Sequence, residues 1–317
     1  KTELERNDTS QWTSTGLIKI AVIMLTLSAI WRIVDQFVLG LGSTWMNIFP
    51  SKLFPFLILL GFFWKYRPTE IGSVLGLSKD KARAHLSLGI LIGIIFAIGI
   101  DIGGTVVYGL LIDPTYPLQL NIVVNEGLLG YMFIFFLTNA FLEECLFRGL
   151  LQNAFKTRYG VNTSIMASAA LFGVWHAGWP IINESTVEGA ISGVASMVFF
   201  TMILGIFFGY YYERFSSSKS LLGPIAIHTI VNFVNECFKV GPEPIVQGPD
   251  MVFANSGLMV TTLLMFVVTF IPLMVVLWKF KIEQVIGFWQ KITGSKDTDE
   301  QDDSTNEITE KVKDYVV

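Results

Sequence analysis

Ionisable side chains occur inside three apolar stretches of this chain, where charged groups are rarely tolerated. The first stretch contains the adjacent acids Glu143 and Glu144, the second contains His176, and the third contains His228. A carboxylate and imidazoles can activate water as general bases and stabilise a charged intermediate. Because ionisable groups at membrane depth are costly, their presence in separate apolar segments predicts one shared polar site. An intramembrane enzyme is therefore the leading hypothesis.

The spacing around the two acids assigns them different roles. Residues four apart share a helix face, so Glu144 and Arg148 should pair, and Arg148 is expected to neutralise and orient Glu144. That pairing leaves Glu143 free to act on water. Asn139 lies one turn before Glu143 and is expected to hydrogen-bond to it.

The two histidines have neighbours at the same spacing. Phe172 precedes His176 by one turn and is expected to wall the cavity, while Asn232 follows His228 by one turn and shares its face. A carboxylate, two imidazoles and an amide donor in a cavity with little water suit peptide hydrolysis. Cys145 is turned about 100° from Glu144 on a helix, with no histidine nearby in sequence, so a cysteine nucleophile is not favoured.

The composition describes a polytopic membrane protein. Of the 317 residues, 52% are apolar, 14% are aromatic and only 15% are charged. The last 25 residues hold eight acids against three lysines and are expected to form a disordered acidic tail. The expected partners are the lipid bilayer and a membrane-associated protein or peptide substrate, with no nucleic acid.

The fold class predicted from the apolar runs is all-α, a membrane helix bundle with about eight transmembrane helices. A crossing needs about 20 apolar residues. The candidate spans are 17–39, 47–64, 86–112, 128–150, 163–180, 189–212, 221–238 and 257–278.

The loop charges predict the orientation of these spans. Every second loop is rich in Lys and Arg, which is typical of cytoplasmic loops, so both termini are expected in the cytoplasm. The chain then divides into a polar N-terminal segment over 1–16, a protease bundle over 17–280 with its motif core at 128–238, and a helix end with the acidic tail over 281–317. This topology makes the active site accessible from the cytoplasmic side.

These motifs resemble those of the CAAX protease and bacteriocin-processing family of intramembrane endopeptidases, in particular its CAAX prenyl protease branch. The family pattern of EExxxR, FxxxH and HxxxN is matched by seven residues in order and in separate spans. They are Glu143, Glu144, Arg148, Phe172, His176, His228 and Asn232.

The resemblance implies peptide-bond cleavage at the membrane, with removal of the C-terminal tripeptide of prenylated CAAX proteins as one substrate class. It implies Glu143 as the base that activates water, His228 and Asn232 as oxyanion donors, and His176 as a group that positions water or transfers a proton. No cofactor is favoured. Zinc bound by Glu143, His176 and His228 is the alternative, although the chain has no HExxH helix.

Other functions and substrates stay open at this point. A catalytically silent scaffold or regulator is the second hypothesis, and a proton-coupled transporter is the third, because Glu and His at depth also form proton relays. A bacteriocin leader, a quorum-signal precursor or a membrane-bound regulator would use the same cavity as a prenylated peptide. Short loops favour a prokaryotic plasma membrane.

Overall fold

The computed structural model describes residues 14–40, 52–66, 68–242 and 255–293. The polar segment predicted over 1–16 lies mostly outside these ranges, and so does the start of the second predicted span. The acidic tail after residue 293 lies wholly outside them.

The described residues are almost entirely helical, which confirms the predicted all-α class. Thirteen α-helices and two short strands are described in these ranges. They are α1 Ser14–Ile33, α2 Phe54–Tyr66, α3 Ile71–Leu75, α4 Ala82–Phe96, α5 Gly103–Leu111, β1 Leu120–Ile122, α6 Leu129–Glu144, α7 Asn153–Lys156, α8 Val161–Trp175, α9 Gly178–Asn183, α10 Val187–Tyr210, α11 Leu222–Cys237, β2 Phe238–Val240, α12 Ser256–Lys279 and α13 Ile282–Thr293.

Six helical segments within the described ranges are long and apolar enough to cross a bilayer, which makes this an integral membrane protein. They are Gly16–Val38, Ala82–Leu111, Glu126–Lys156, Val161–Ile182, Val187–Phe215 and Ser256–Lys279. The other two predicted spans correspond to α2, with 13 residues, and α11, with 16 residues. Both are shorter than the roughly 20 residues that a full crossing needs. All eight predicted segments are thus helical where they are described, and six meet the length of a span.

Several long helices continue through a π-helical turn. The turn Val34–Val38 follows α1, Ala97–Ile102 joins α4 to α5, and Cys145–Gln152 joins α6 to α7. Such turns often occur at functional sites because they rotate the following side chains around the helix. The turn after α6 begins directly beyond Glu144, at the place where the sequence predicts the polar site.

Contacts between loops join regions that the loop charges predict on the same side of the membrane. The antiparallel pair β1–β2 joins the loop after α5 to the end of α11, two regions expected on the outer face. At the other end, Leu77 and Ser220 form a bridge, and Lys156 pairs with Glu213 at 2.6 Å. These residues lie in or beside the basic loops that are expected on the cytoplasmic face.

Two glycines hold α4 against α11, the helix that carries His228. A Cβ at Gly89 would lie 2.7 Å from the carbonyl oxygen of Gly223, and one at Gly93 would lie 2.8 Å from Cβ of Ile230. Only glycine permits this approach of the two backbones. The contact fixes one wall of the site.

The chain divides into two compact units, Lys1–Lys279 and Phe280–Val317. The described part of the second unit is α13. Its exposed apolar residues Phe288, Trp289 and Ile292 fall on one face of an amphipathic helix.

Candidate active site

Glu143 lies at the centre of a buried polar cluster near the end of α6. Only 1% of its side chain is exposed. Its Oε1 atom accepts a hydrogen bond from Trp175 Nε1 at 3.0 Å and lies 2.6 Å from the ammonium of Lys52. Its Oε2 atom is buried and has no hydrogen-bond partner among the described residues. One oxygen of this carboxylate is therefore held in place, and the other is available to a ligand.

The two predicted histidines face this second oxygen. His176 Nε2 lies 3.8 Å and His228 Nε2 lies 3.6 Å from Glu143 Oε2. His176 Nδ1 lies 2.8 Å from the carbonyl oxygen of Phe172, which can only accept, so the proton is on Nδ1. In the neutral ring, His176 Nε2 is then an acceptor directed at the site. The structure thus brings Glu143, His176 and His228 together from α6, α11 and the end of α8.

Glu144 has a different environment from its neighbour. Its Oε1 atom accepts from Arg148 Nη1 at 3.0 Å, which is the i,i+4 pair that the sequence predicts. The same oxygen lies 2.9 Å from His228 Nδ1, so an ionised Glu144 accepts the proton of that nitrogen. Both Glu144 and Arg148 have fully buried side chains. Glu144 therefore fixes the orientation of His228 while Arg148 balances its charge.

Aromatic rings enclose these charged groups. Phe172 packs against His176 and His228, with its ring centroid 4.7 Å and 5.7 Å from theirs. Phe208 stacks on the other face of the site, 5.5 Å from the His228 ring. The Arg148 guanidinium lies 4.1 Å from the Phe172 ring centroid. Cation–π contacts of this kind stabilise a buried guanidinium.

Lys52 and Trp175 are members of the site that the sequence analysis missed. The side chain of Lys52 is 6% exposed and paired with Glu143. Asn139 Oδ1 accepts a hydrogen bond from Lys52, so Asn139 reaches Glu143 through the lysine and not through the direct bond that was expected. A lysine inside an apolar run was the one signal that could have indicated this role.

Asn232 and Cys145 complete the set of residues considered from the sequence. Asn232 lies one turn after His228 on α11, is partly exposed, and makes no side-chain hydrogen bond with the described residues. Cys145 is fully buried in an apolar cluster with Tyr212 and Leu221.

A small apolar cleft opens beside Glu143 and Lys52. It lies between α1, α2 and α6, and the two charged residues are its main polar features. The other lining residues are Met24, Ser28, Pro55, Phe56, Leu59, Leu142 and Leu146. Apolar side chains therefore reach the Glu143 carboxylate from this side.

The side chains of this site include types that can act as ligands of a metal ion. Among the described residues, no group of three or more His, Cys, Asp or Glu side chains is placed to hold one. The donor chemistry of Glu143, His176 and His228 suits zinc, and both Nδ1 atoms have acceptors, as zinc-binding histidines usually do. The ammonium of Lys52, however, already lies at the carboxylate that would bind the cation.

The fold and this cluster define a class of protein, an integral membrane helix bundle with a buried carboxylate–imidazole site. Residues 125–234 match the sequence model of a family described as type II CAAX prenyl endopeptidase Rce1-like. This match confirms the resemblance seen in the motifs, and at the level of the family it supports a CAAX-type intramembrane protease. The matched region runs from the start of the fourth predicted span into α11 and includes all seven motif residues. A comparison with curated proteins gave no match.

Proposed function

We propose that this protein is an intramembrane endopeptidase that hydrolyses a peptide bond of a membrane-associated protein by means of a water activated by Glu143. The observation that carries the proposal is the position of Glu143 Oε2, which is buried, lacks a partner among the described residues and faces the Nε2 atoms of His176 and His228. A water bound there would have acceptors on several sides and a carboxylate to take its proton.

The proposed reaction needs one proton carrier. Glu143 takes a proton from the water as the oxygen attacks the carbonyl carbon of the substrate, and a tetrahedral oxyanion forms. His228, when doubly protonated, and Asn232 donate hydrogen bonds to that oxyanion. The carbon–nitrogen bond then breaks, and Glu143 returns the proton to the leaving amine. His176 positions the water through its Nε2 acceptor.

The residues around the base support this sequence of steps. Lys52 neutralises Glu143 Oε1 without covering Oε2, so the carboxylate stays ionised and orientated. Glu144 accepts the Nδ1 proton of His228 and stabilises positive charge on that ring. Arg148 in turn prevents an uncompensated charge on Glu144.

The proposed substrate is a prenylated protein with a C-terminal CAAX motif, and the bilayer is the other partner. The apolar cleft beside Glu143 supports an apolar substituent near the scissile bond. The alternation of basic loops supports a site that opens to the cytoplasm, and we propose a prokaryotic plasma membrane as its location.

We propose a mechanism without a metal, because the positive charge of Lys52 occupies one side of the carboxylate and opposes a second cation there. Zinc held by Glu143, His176 and His228 is the alternative. When bound, it would supply a Lewis acid that activates water. A strong chelator separates the two cases.

The test is cleavage of fluorogenic peptides, with and without a farnesylated cysteine, by the purified protein and by Glu143→Gln and Glu143→Ala. Glu126→Gln, a change in an exposed acid outside the site, is the matched control. We expect farnesyl-dependent cleavage that both Glu143 variants abolish and that the control and the chelator leave intact. Cleavage that survives in a folded Glu143→Gln variant would refute the proposal.

The silent-scaffold and transporter hypotheses make different predictions for the same variants. A scaffold keeps its biological effect in Glu143→Ala, and a transporter moves protons or solute in vesicles without cleaving peptide. Proton flux lost in Glu143→Gln, together with no turnover of any peptide, would favour the transporter.

A further inference from the structure

A second group of buried charges lies at the end of α1 and in the π-helical turn that follows it, outside the matched region. Arg32 is 5% exposed and Asp35 is fully buried. The guanidinium of Arg32 interacts electrostatically with the carboxylates of Asp35 and Glu143. Because a buried charge is costly unless it is paired, these two acids stabilise the buried arginine. Arg32 is therefore coupled both to its own turn and to the base of the proposed reaction.

Two indole rings lie close to the Arg32 guanidinium. Its Cζ atom is 4.8 Å from the ring centroid of Trp175 and 5.9 Å from that of Trp179. Trp175 is the last residue of α8, and Trp179 lies in α9, directly after it. Cation–π contacts are strongest with tryptophan and where water is excluded. Arg32 thus joins α1 to the end of the helix that contributes Trp175 to the site.

The turn after α1 also packs against this segment. Gln36 is 8% exposed, and its Oε1 atom occupies the space that a Cβ at Gly178 would need. The amide of Gln36 therefore lies directly against the backbone between the two indoles. This contact restricts movement of the turn, and with it movement of Arg32 relative to Trp175.

We propose that Arg32 is a positioning residue of the active site, which holds the indole of Trp175 in the orientation that fixes Glu143. Trp175 Nε1 donates to Glu143 Oε1 at 3.0 Å, while Oε2 faces the two imidazoles. Rotation of the indole would break this hydrogen bond and let the carboxylate turn away from the imidazoles. This inference rests on the proposed endopeptidase function, and it adds to the site a residue of α1, which the family match does not include.

The first experiment is a double-mutant cycle on peptide cleavage by the full-length protein in nanodiscs. Arg32→Met removes the cation–π contact, so we expect kcat to fall about 10-fold to 30-fold while KM stays unchanged. Arg32→Lys keeps the charge without the planar group that stacks on an indole, and an intermediate loss is expected. Trp175→Phe removes the N–H group that holds Glu143. In that background Arg32→Met should change kcat little, because the link from Arg32 to the base is already broken.

The cycle also separates this role from a direct effect of charge. If Arg32 acts on Glu143 only through its charge, Arg32→Lys keeps full activity and Arg32→Met lowers kcat equally with and without Trp175→Phe. Either result would overturn the proposal. The matched control is Arg158→Met, a change in an exposed arginine whose Cζ atom lies 5.8 Å from the ring centroid of Tyr159, and it should leave kcat and KM unchanged.

The second experiment observes Trp175 without turnover, by fluorine NMR of protein that contains fluorotryptophan. The Trp175→Phe variant identifies the resonance of Trp175. We expect that resonance to shift or broaden in Arg32→Lys and Arg32→Met and to stay in place in Arg158→Met. An unchanged resonance in both Arg32 variants would contradict the positioning role.

The two proposals can fail separately. A shifted Trp175 resonance without cleavage of any peptide contradicts only the endopeptidase, and cleavage with additive effects of Arg32→Met and Trp175→Phe contradicts only the positioning role. If Arg32→Met does not fold, Arg32→Lys in the same two backgrounds completes the cycle, since it keeps the charge that balances the buried acids.

Discussion

Glu143 and Glu144 are adjacent in sequence and equally buried, yet their surroundings differ. Each acid has one oxygen without a hydrogen-bond partner among the described residues. Glu143 lies beside Lys52, the indole of Trp175 and a cleft, and its unpartnered oxygen lies within 4 Å of an imidazole nitrogen of His176 and of His228. The Glu144 side contains Arg148 and His228, which share a single oxygen of the acid. The difference supports the proposal that Glu143 acts on water and that Glu144 orients His228.

Burial alone cannot distinguish the proposed roles of Glu143 and Glu144, since both side chains are buried. What separates them is the direction of their partners. Lys52 and Trp175 hold one oxygen of Glu143 and leave the other facing two imidazoles. The following predictions test this division of roles, beginning with the largest effect.

Replacement of Glu143 by Gln should nearly abolish activity and lower stability less than Glu144→Gln does, because Lys52 keeps its hydrogen bond to Asn139. The amide keeps the shape of the carboxylate but cannot take a proton from water. General-base catalysis contributes about 10²-fold to 10⁴-fold, so we expect kcat to fall toward the upper end of that range. Peptide turnover and thermal unfolding measured on the same sample check the prediction, and a drop in Tm as large as that in Glu144→Gln would argue against a mainly chemical role.

Replacement of Glu144 by Gln should mainly lower stability. The change leaves the buried guanidinium of Arg148 without its charged partner, and loss of one member of a buried ion pair costs about 3–5 kcal/mol. Denaturant unfolding in mild detergent measures the effect. The double variant with Arg148→Met should regain part of the loss, and if it is as unstable as the sum of both single changes, the pair is not coupled.

Replacement of Asn232 by Ala should reduce kcat more than it raises KM. Removal of one oxyanion donor typically lowers kcat by about 10²-fold to 10³-fold, because that hydrogen bond is strongest in the transition state. Steady-state kinetics on the best fluorogenic peptide check this prediction. A rise in KM alone would instead place Asn232 in substrate binding.

Replacement of Lys52 by Met should lower activity while Lys52→Arg keeps most of it. Lys52 contacts the same oxygen of Glu143 that Trp175 holds, and a hydrogen bond to a charged group is worth about 1.5–3 kcal/mol, or roughly 10-fold to 150-fold in rate. Comparison of kcat for the two variants is the measurement. Equal losses in both would mean that a positive charge at this position is not sufficient for activity.

The parts of this site that are local in sequence could be predicted, and those between helices could not. The pair of Glu144 and Arg148 follows from helical spacing, and it forms. The contact of Lys52 with Asn139 joins residues 87 positions apart, and a single sequence contains no signal for which helices meet.

The all-α class could be predicted because, in a bilayer, an apolar run of this length satisfies its own backbone hydrogen bonds as a helix. Exact crossings were harder to predict, since α2 and α11 are short helices whose ends contain polar or proline residues.

An ion pair in water should contribute far less than those at the two glutamates. Lys219 Nζ donates to Asp80 Oδ2 at 3.0 Å, and both side chains are largely exposed. This hydrogen bond lowers the pKa of Asp80 below its usual range, so the stability that it contributes is present above the pKa of the unfolded residue and is lost as pH falls through the folded value. Exposed pairs of this kind are worth less than about 1 kcal/mol. Lys219→Ala should therefore lower the free energy of unfolding slightly at pH 7, and should not change it at an acidic pH below the folded pKa of Asp80. Denaturant unfolding at both pH values measures the effect. A loss as large as that in Glu144→Gln would contradict the expected difference between buried and exposed pairs.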